Sequence, residues 1–307
     1  MDQKFAIIDL GTNTFHLLIA KKHDGKVAIL HREKVGVKIG KAGINRDIIQ
    51  PDALDRALNA LQNFKAKIDA SAVSSVHAFA TSAFRNAANA DEVTRRIKLL
   101  TDIDVQILSG DQEANMIYRG VNSALDLGKE ISLIMDIGAG SVEFILASQE
   151  QAVWSRSLEI GAQRILEKFS ISDPITPAEI ENINRFLDQS LQEVNEAVTR
   201  FSATTLVGSS GSFDTLSDMY CLQNGVTTKD TDTETPLTPA FVYTAYQEII
   251  QTTRAQRLEI PGMIELRVDL IVVGCCLVRY ILEKHQIGRV RVSRNSLKEG
   301  ALAMLPE

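Results

Sequence analysis

The sequence predicts an α/β protein built from two related lobes that face each other across a cleft. Three observations lead there. The chain has 307 residues, and roughly one domain per 100–200 residues makes two domains the expectation. Apolar runs of strand length alternate with longer stretches whose apolar residues fall at helical spacing. The chain also repeats itself: FAIIDLGTNTFHLLIA at 5–20 aligns with SLIMDIGAGSVEFILA at 132–147, an offset of 127 residues. The alignment pairs Asp9 with Asp136, Gly11 with Gly138, Thr14 with Ser141 and Ala20 with Ala147.

Each copy reads as an apolar strand, an Asp-x-Gly turn and a second apolar strand. That is a β-hairpin pattern, since glycine and short polar residues allow turn conformations with φ > 0. A single copy has an ordinary reading, a hairpin whose aspartate makes an Asx turn. Two copies facing each other would aim two sets of backbone N–H groups at one anion. The two aspartates would then need a divalent cation between them.

The remaining elements follow in order. Further strands are expected over 26–39, with His23-Asp24 and the following glycine as a hairpin turn and not a metal motif. Pro51, tolerated in a first turn, opens a helix to about residue 68. A strand at 75–80 runs into Thr81-Ser82-Ala83-Phe84-Arg85, and a helix over 91–100 leads to a strand at 105–108. Ser109 to Gln112 form an S-x-x-Q capping box for a helix that contains Glu113. The lobe boundary is expected within 121–130. The second lobe continues with long helices near 177–200 and 238–253. A strand at 205–207 enters Gly208-Ser209-Ser210-Gly211-Ser212. A polar surface loop over 227–235, a buried apolar segment over 268–282, a strand at 289–292 and a helix from about Ser296 complete the chain.

Composition narrows the function classes. Hydrophobic residues make up 45% and charged residues 23%, which excludes a disordered or fibrous chain. Lys and Arg number 33 against 39 Asp and Glu, for a net charge of −6. This argues against a broad basic surface for nucleic acid or an anionic membrane. An anionic ligand must therefore be held by local groups. Cys221, Cys275 and Cys276 are odd in number and lack metal-ligand spacing, which fits a reducing compartment. With no cleavable signal pattern and no apolar run near the length of a spanning helix, a cytoplasmic location is expected.

In their order along the chain, these segments resemble the exopolyphosphatase/guanosine pentaphosphate phosphohydrolase (Ppx/GppA) family of the actin-like ATPase superfamily. The family's D-x-G-S-N-S segment is similar to Asp9-Leu10-Gly11-Thr12-Asn13-Thr14, and its T-S-A-x-R to Thr81 through Arg85. Its S-G-x-E-E-A helix start resembles Ser109-Gly110-Asp111-Gln112-Glu113-Ala114. Its D-I-G-G-G-S-x-E resembles Asp136-Ile137-Gly138-Ala139-Gly140-Ser141-Val142-Glu143. Later matches are Gly208 to Gly211, Arg267 to Gly274, and Ser293 to Gly300.

The resemblance implies two ribonuclease-H-like (actin-like ATPase) domains with a central interdomain cleft, residues 1–124 and 125–307. It leaves the C-terminal helix, about 296–307, able to pack back on the first. Longer members add an HD-type helical domain and a C-terminal extension, and this chain is expected to be the short, two-domain type. The implied activity is Mg²⁺-dependent release of the terminal phosphate of inorganic polyphosphate, with conversion of guanosine pentaphosphate to the tetraphosphate as a second reaction. Glu113 takes the place of the family's general base, and Glu143 is a second carboxylate for water or metal. Asp9, Asp136 and Glu143 would place Mg²⁺. Gly11, Thr12, Asn13 and Thr14, with Gly138, Ala139, Gly140 and Ser141, would grip the terminal phosphate. Arg85, Ser209, Gly211, Ser212, Arg267 and Lys298 would contact further phosphates, with Arg289, Arg291 and Arg294 extending a basic track. A homodimer is compatible with the resemblance; nucleic-acid and membrane partners are not expected.

Several of these residues also have plain structural readings. Glu113 suits the first turn of any helix through the macrodipole. Arg85 could be an exposed helix-edge arginine, and the serines of 209–212 could be N-caps. The late basic residues could be solvated. The chain departs from the family pattern at Ala139 for the middle glycine, Gln112 for the first of two glutamates, and Val142 for a common threonine. Two rivals remain: a sensor that binds polyphosphate or guanosine tetraphosphate with little turnover, and an ATP-dependent phosphotransferase. No adenosine or acceptor signature favours the latter.

Overall fold

The structure, a computed structural model, describes residues 3–23, 26–229 and 231–305. The first half carries β1 (Gln3–Leu10), β2 (Thr14–His23), β3 (Lys26–Gly36), α1 (Pro51–Ala70), β4 (Ser75–Ala80), α2 (Ser82–Arg85), α3 (Ala90–Thr101), β5 (Val105–Ile107) and α4 (Gly110–Ala124). The second carries β6 (Ser132–Ile137), β7 (Val142–Ala147), β8 (Ala152–Leu158), α5 (Ala162–Phe169), α6 (Pro177–Ser190), α7 (Gln192–Phe201), β9 (Thr205–Ser209) and α8 (Ser210–Gln223). It ends with β10 (Glu234–Thr235), α9 (Pro239–Gln251), α10 (Arg254–Leu258), α11 (Ile271–His285), β11 (Arg289–Ser293) and α12 (Leu297–Ala303).

The repeat extends well beyond the two hairpins. One sheet has the order β3-β2-β1-β4-β5, and the other β10-β11-β9-β6-β7-β8. In each, three strands form an antiparallel meander and the first of them then pairs in parallel with the next (β1 with β4, β6 with β9). Parallel pairing requires a crossover, which α1 provides in the first lobe and α5 to α7 in the second. This is the actin-like two-lobe plan.

Strand alternation distributes the apolar residues into three cores. Ala6, Ile8 and Leu10 of β1 pack outward with α1 residues such as Leu61 and Phe64. Leu133, Met135 and Ile137 of β6 pack outward with α6, α7, α9 and α11. Phe5 and Ile7, with Ile134, Ile145 and Val207, face a third core between the sheets, filled by α4 and α12. The helix after β11 thus returns to pack on α4 and β1. The two helices cross at their glycines: a Cβ on Gly300 would lie 1.7 Å from the Met116 carbonyl oxygen, and one on Gly120 2.0 Å from that of Ser296. No side chain fits there.

Some elements differ from expectation. The helix expected over 177–200 is two, broken at Leu191, whose non-helical backbone accompanies a fully buried side chain. The 227–235 loop ends in the short strand β10. β8 and α5 are not evident from local patterning, although the repeat offset carries β3 onto β8. Of the expected turn at His23-Asp24, Asp24 and the following glycine lie outside the described residues. The three cysteines are buried free thiols. Among the described residues, no helix is long and apolar enough to cross a membrane.

Candidate active site

The acidic residues meet because of strand pleat. Ile7 and Ile134 face the core between the sheets, so Asp9 and Asp136, two residues further along, face the same space at the strand ends. Directly opposed residues of an antiparallel pair share a face. His16 is opposite Asp9 and Glu143 is opposite Asp136, so the repeat aligns His16 with Glu143. Helix α4 enters this space through its capping box, in which the Gln112 backbone N–H donates to Ser109 Oγ and the Ser109 N–H donates to Gln112 Oε1. Gln112 is therefore spent on the cap and exposed, while Glu113 is buried. Asp9, Glu113, Asp136 and Glu143 all line one cleft of about 120 Å³, where about 10–15 Å³ holds one water.

The two turns share their geometry. A Cβ on Gly11 would lie 2.9 Å from Thr14 O, and one on Gly138 2.9 Å from Ser141 O. Neither glycine, nor Gly140, adopts positive φ. The expectation of left-handed turn residues is thus corrected: glycine is needed here for close approach. A Cβ on Gly140 would fall 2.4 Å from Thr12 Oγ1 and 2.5 Å from Ser82 Oγ, so the second turn touches the first lobe. Ala139 is not left-handed either. Backbone N–H groups of residues 161–163, at the start of α5, donate to the carbonyls of Gly140, Gly138 and Ala139 and hold this turn. Thr12 Oγ1 and Thr14 Oγ1 are buried without a hydrogen-bond partner among the described residues.

The carboxylates are unequally supported. Asp136 Oδ2 accepts from Ser209 Oγ (2.6 Å), Ser210 Oγ (2.7 Å) and Ser296 Oγ. Ser210 reaches it from a left-handed backbone, φ 70°, a conformation that costs a non-glycine residue about 1–2 kcal/mol. Three hydroxyls therefore offset a charge that the sequence pattern assigns to a cation. Asp9 has no hydrogen-bond donor among the described residues. Burial raises its pKa to about 7 against the pull of Lys298, with Asp136 and Glu299 adding to the rise. Burial likewise lifts Glu113 to about 7, opposed by Arg85 and reinforced by Asp9 and Asp136. Burial, Glu113 and Asp136 raise Glu143 well above the ordinary range, against a hydrogen bond donated by Ser157 Oγ (2.7 Å). Burial opposes the charge of Lys298, but Glu299, Asp9 and Asp214 outweigh it and raise its pKa.

Most of the residues singled out in the sequence line the cleft: both turns, the four acids, Gly211, Arg267 and Lys298. Three do not. Ser209 is wholly buried beneath Asp136. Ser212 packs under α11, where a Cβ on Gly274 would meet its Oγ at 2.6 Å. Arg85 lies behind Glu113, its Nη1 donating to Glu113 Oε2 (2.8 Å) and to Leu108 O (3.1 Å). Of the basic track, Arg294 reaches the cleft, whereas Arg289 and Arg291 line a separate groove and Arg291 pairs with Glu234. His16, Thr81, Ser210, Asp214 and Ser296 also line the cleft and are not among the residues the motifs single out for it. The repeat register points to His16; Asp214 carries no signal. Glu159 and Arg164, on the β8–α5 segment, tie the lobes together beside the site.

The geometry fits a hydrated divalent cation. The Asp9 carboxylate and the Oδ1 atom of Asp136, on which the serines do not converge, belong to one cleft with four acids. Among the described residues no group of three or more His, Cys, Asp or Glu forms a metal cage. Mg²⁺, which keeps several waters and is commonly shared with substrate phosphates, suits such a site.

The profile of the Ppx/GppA phosphatase family matches residues 18–306. The chain belongs to this family. Its fold superposes on the crystal structure of an exopolyphosphatase from Cytophaga hutchinsonii with a TM-score of 0.95 and 38% identity, covering 98% of this chain and 96% of that one. The Ppx/GppA family member of Aquifex aeolicus gives a TM-score of 0.80 at 25% identity, covering 99% and 97%. A guanosine-5'-triphosphate,3'-diphosphate pyrophosphatase of Pseudoalteromonas translucida is 28% identical over 309 residues. That match takes in 99% of this chain and 59% of the relative.

Proposed function

We propose that this Ppx/GppA protein is an exopolyphosphatase that hydrolyses the terminal phosphoanhydride of inorganic polyphosphate, with guanosine pentaphosphate as a second substrate. The observation that carries this reading is the pair of matching turns touching across a cleft with a buried glutamate, Glu113, at the same point. The relatives' activities agree with it. Hydrolysis of a terminal phosphoryl group needs a positioned water, a base, and compensation of charge on the phosphoryl oxygens.

Each part has a residue. Thr12 Oγ1 and Thr14 Oγ1, unpaired among the described residues, donate to the phosphoryl group together with backbone N–H groups of the two turns. Arg85 holds Glu113 Oε2, which leaves Oε1 to accept the proton of the attacking water. Its pKa of about 7 suits a base working near neutrality. Arg267, whose guanidinium lies over Gly211, and Lys298 bind phosphates further along the chain. Asp9 and Asp136 would hold Mg²⁺ through its waters, where it would neutralise charge on the phosphate oxygens.

Phosphate release from long-chain polyphosphate, guanosine pentaphosphate and ATP, measured in parallel with Mg²⁺, tests the reading. Polyphosphate is expected to turn over fastest, and Glu113→Gln to lose at least about a hundredfold in kcat with the fold retained. Binding of polyphosphate without any phosphate release would establish a sensor instead. Turnover of ATP only with an acceptor would establish a kinase.

A further inference from the structure

We propose that Glu159 is a positioning residue for this site: its single carboxylate holds Arg85 of the first lobe and Arg164 of the second, and so fixes Glu113 and the spacing of the two phosphate turns. Its catalytic consequence rests on the reading just given. Glu159 follows β8 and belongs to none of the segments that carry the family resemblance.

The contacts form one continuous chain. Glu159 Oε1 accepts from Arg85 Nη2 (2.9 Å) and Nε (3.3 Å), and Oε2 accepts from Ser82 Oγ and pairs with Arg164 Nη2 (3.0 Å). Arg85 uses its remaining donors on Glu113, Leu108 O and Ser157 Oγ. Every nitrogen of its guanidinium is therefore engaged within the protein, and it acts on Glu113 and not on phosphate. Arg164 in turn donates from Nε to Gly140 O (2.9 Å) in the second turn and from Nη1 to Ile44 O (2.7 Å) in the first lobe. The sequence Glu113–Arg85–Glu159–Arg164–Gly140 thus connects the base to the phosphate turn across the lobe boundary.

Charge explains why the position needs a carboxylate. Arg85 and Arg164 are largely buried, with side chains 17% and 11% exposed. Buried guanidinium groups require compensation. A neutral amide at 159 would leave Arg164 without an acidic partner and Arg85 with Glu113 alone. Displacements of about 1 Å at such sites cost on the order of a hundredfold in rate.

The test compares wild type, Glu159→Gln, Arg164→Gln and the double variant on long-chain polyphosphate with Mg²⁺. Glu159→Gln is expected to lower kcat roughly 10- to 100-fold while KM stays within about threefold, and the double variant to lose no more than the worse single one. Hydrogen exchange, read without turnover, is expected to quicken at 81–86 and 138–141 in Glu159→Gln and to stay unchanged in α1 and α11. A kcat within about twofold of wild type, a change in KM alone, additive losses, or a uniform rise in exchange would each overturn the proposal. If the wild type releases no phosphate, the exopolyphosphatase reading fails while the exchange comparison still decides whether Glu159 ties the lobes.

Discussion

Replacing Asp9 by asparagine should make the protein more stable and less active, and the gain should depend on pH. Burial moves the Asp9 pKa from 3.8 to about 7. Below pH 3.8 the carboxyl is protonated in both the folded and unfolded chain, so it costs nothing. As pH rises the unfolded chain ionises first, and stability falls until the folded carboxyl ionises near pH 7. At about 1.4 kcal/mol per pKa unit, the loss is about 4 kcal/mol at pH 8 and about 2 kcal/mol at pH 5. An asparagine carries no charge but leaves an amide without partners, which costs about 1–2 kcal/mol. Asp9→Asn is therefore expected to gain about 2–3 kcal/mol at pH 8 and about zero at pH 5. For a protein of this size that is a rise in Tm of roughly 3–5 °C at pH 8. Thermal unfolding without divalent cations at the two pH values measures it, and phosphate release should fall in the same variant. Equal Tm at pH 8, or the same difference at both pH values, would refute the claim that a half-buried charge without a hydrogen-bond donor is held at the expense of stability.

Other expectations follow from the same geometry. With Glu113 as the proposed base, which must be ionised to accept a proton, kcat/KM for polyphosphate should rise with pH through about 7; Asp9 ionises in the same range, so a pH profile of Glu113→Gln should show a shallower limb. Gly300→Ala would place a Cβ 1.7 Å from Met116 O and force α4 and α12 apart, a loss of about 1–3 kcal/mol or more in urea unfolding. Ala139→Gly should change kcat less than about twofold, since Ala139 needs no left-handed conformation and α5 amides already hold its turn; steady-state rates check this.

Much of the architecture is legible in local sequence patterns. The repeated Asp-x-Gly hairpins identify two related lobes, because their polar pattern and strand alternation are local properties of the chain. The capping box at Ser109 and Gln112 likewise places Glu113 in a first helical turn, as hydrogen bonds three residues apart require. The β8–α5 segment is less legible. β8 is half-exposed and lacks strong alternation, and only the repeat offset from β3 marks it.

Sequence by itself determined the identity of the turns, the family, and the acidic and hydroxyl residues proposed to form a phosphate site. Tertiary structure decided which of them share a cleft and how each charge is met. Ser209, Ser210 and Ser296 converge on Asp136 from β9, α8 and the approach to α12, and no local pattern could assign those hydroxyls to one carboxylate. Arg85 faces Glu113 and Glu159 instead of the cleft because its partners come from α4 and from the end of β8 in the other lobe. Local spacing specifies turns, caps and pleat. Burial, pairing of charge and the meeting of two lobes are relations between distant segments, and they exist only once the chain has folded.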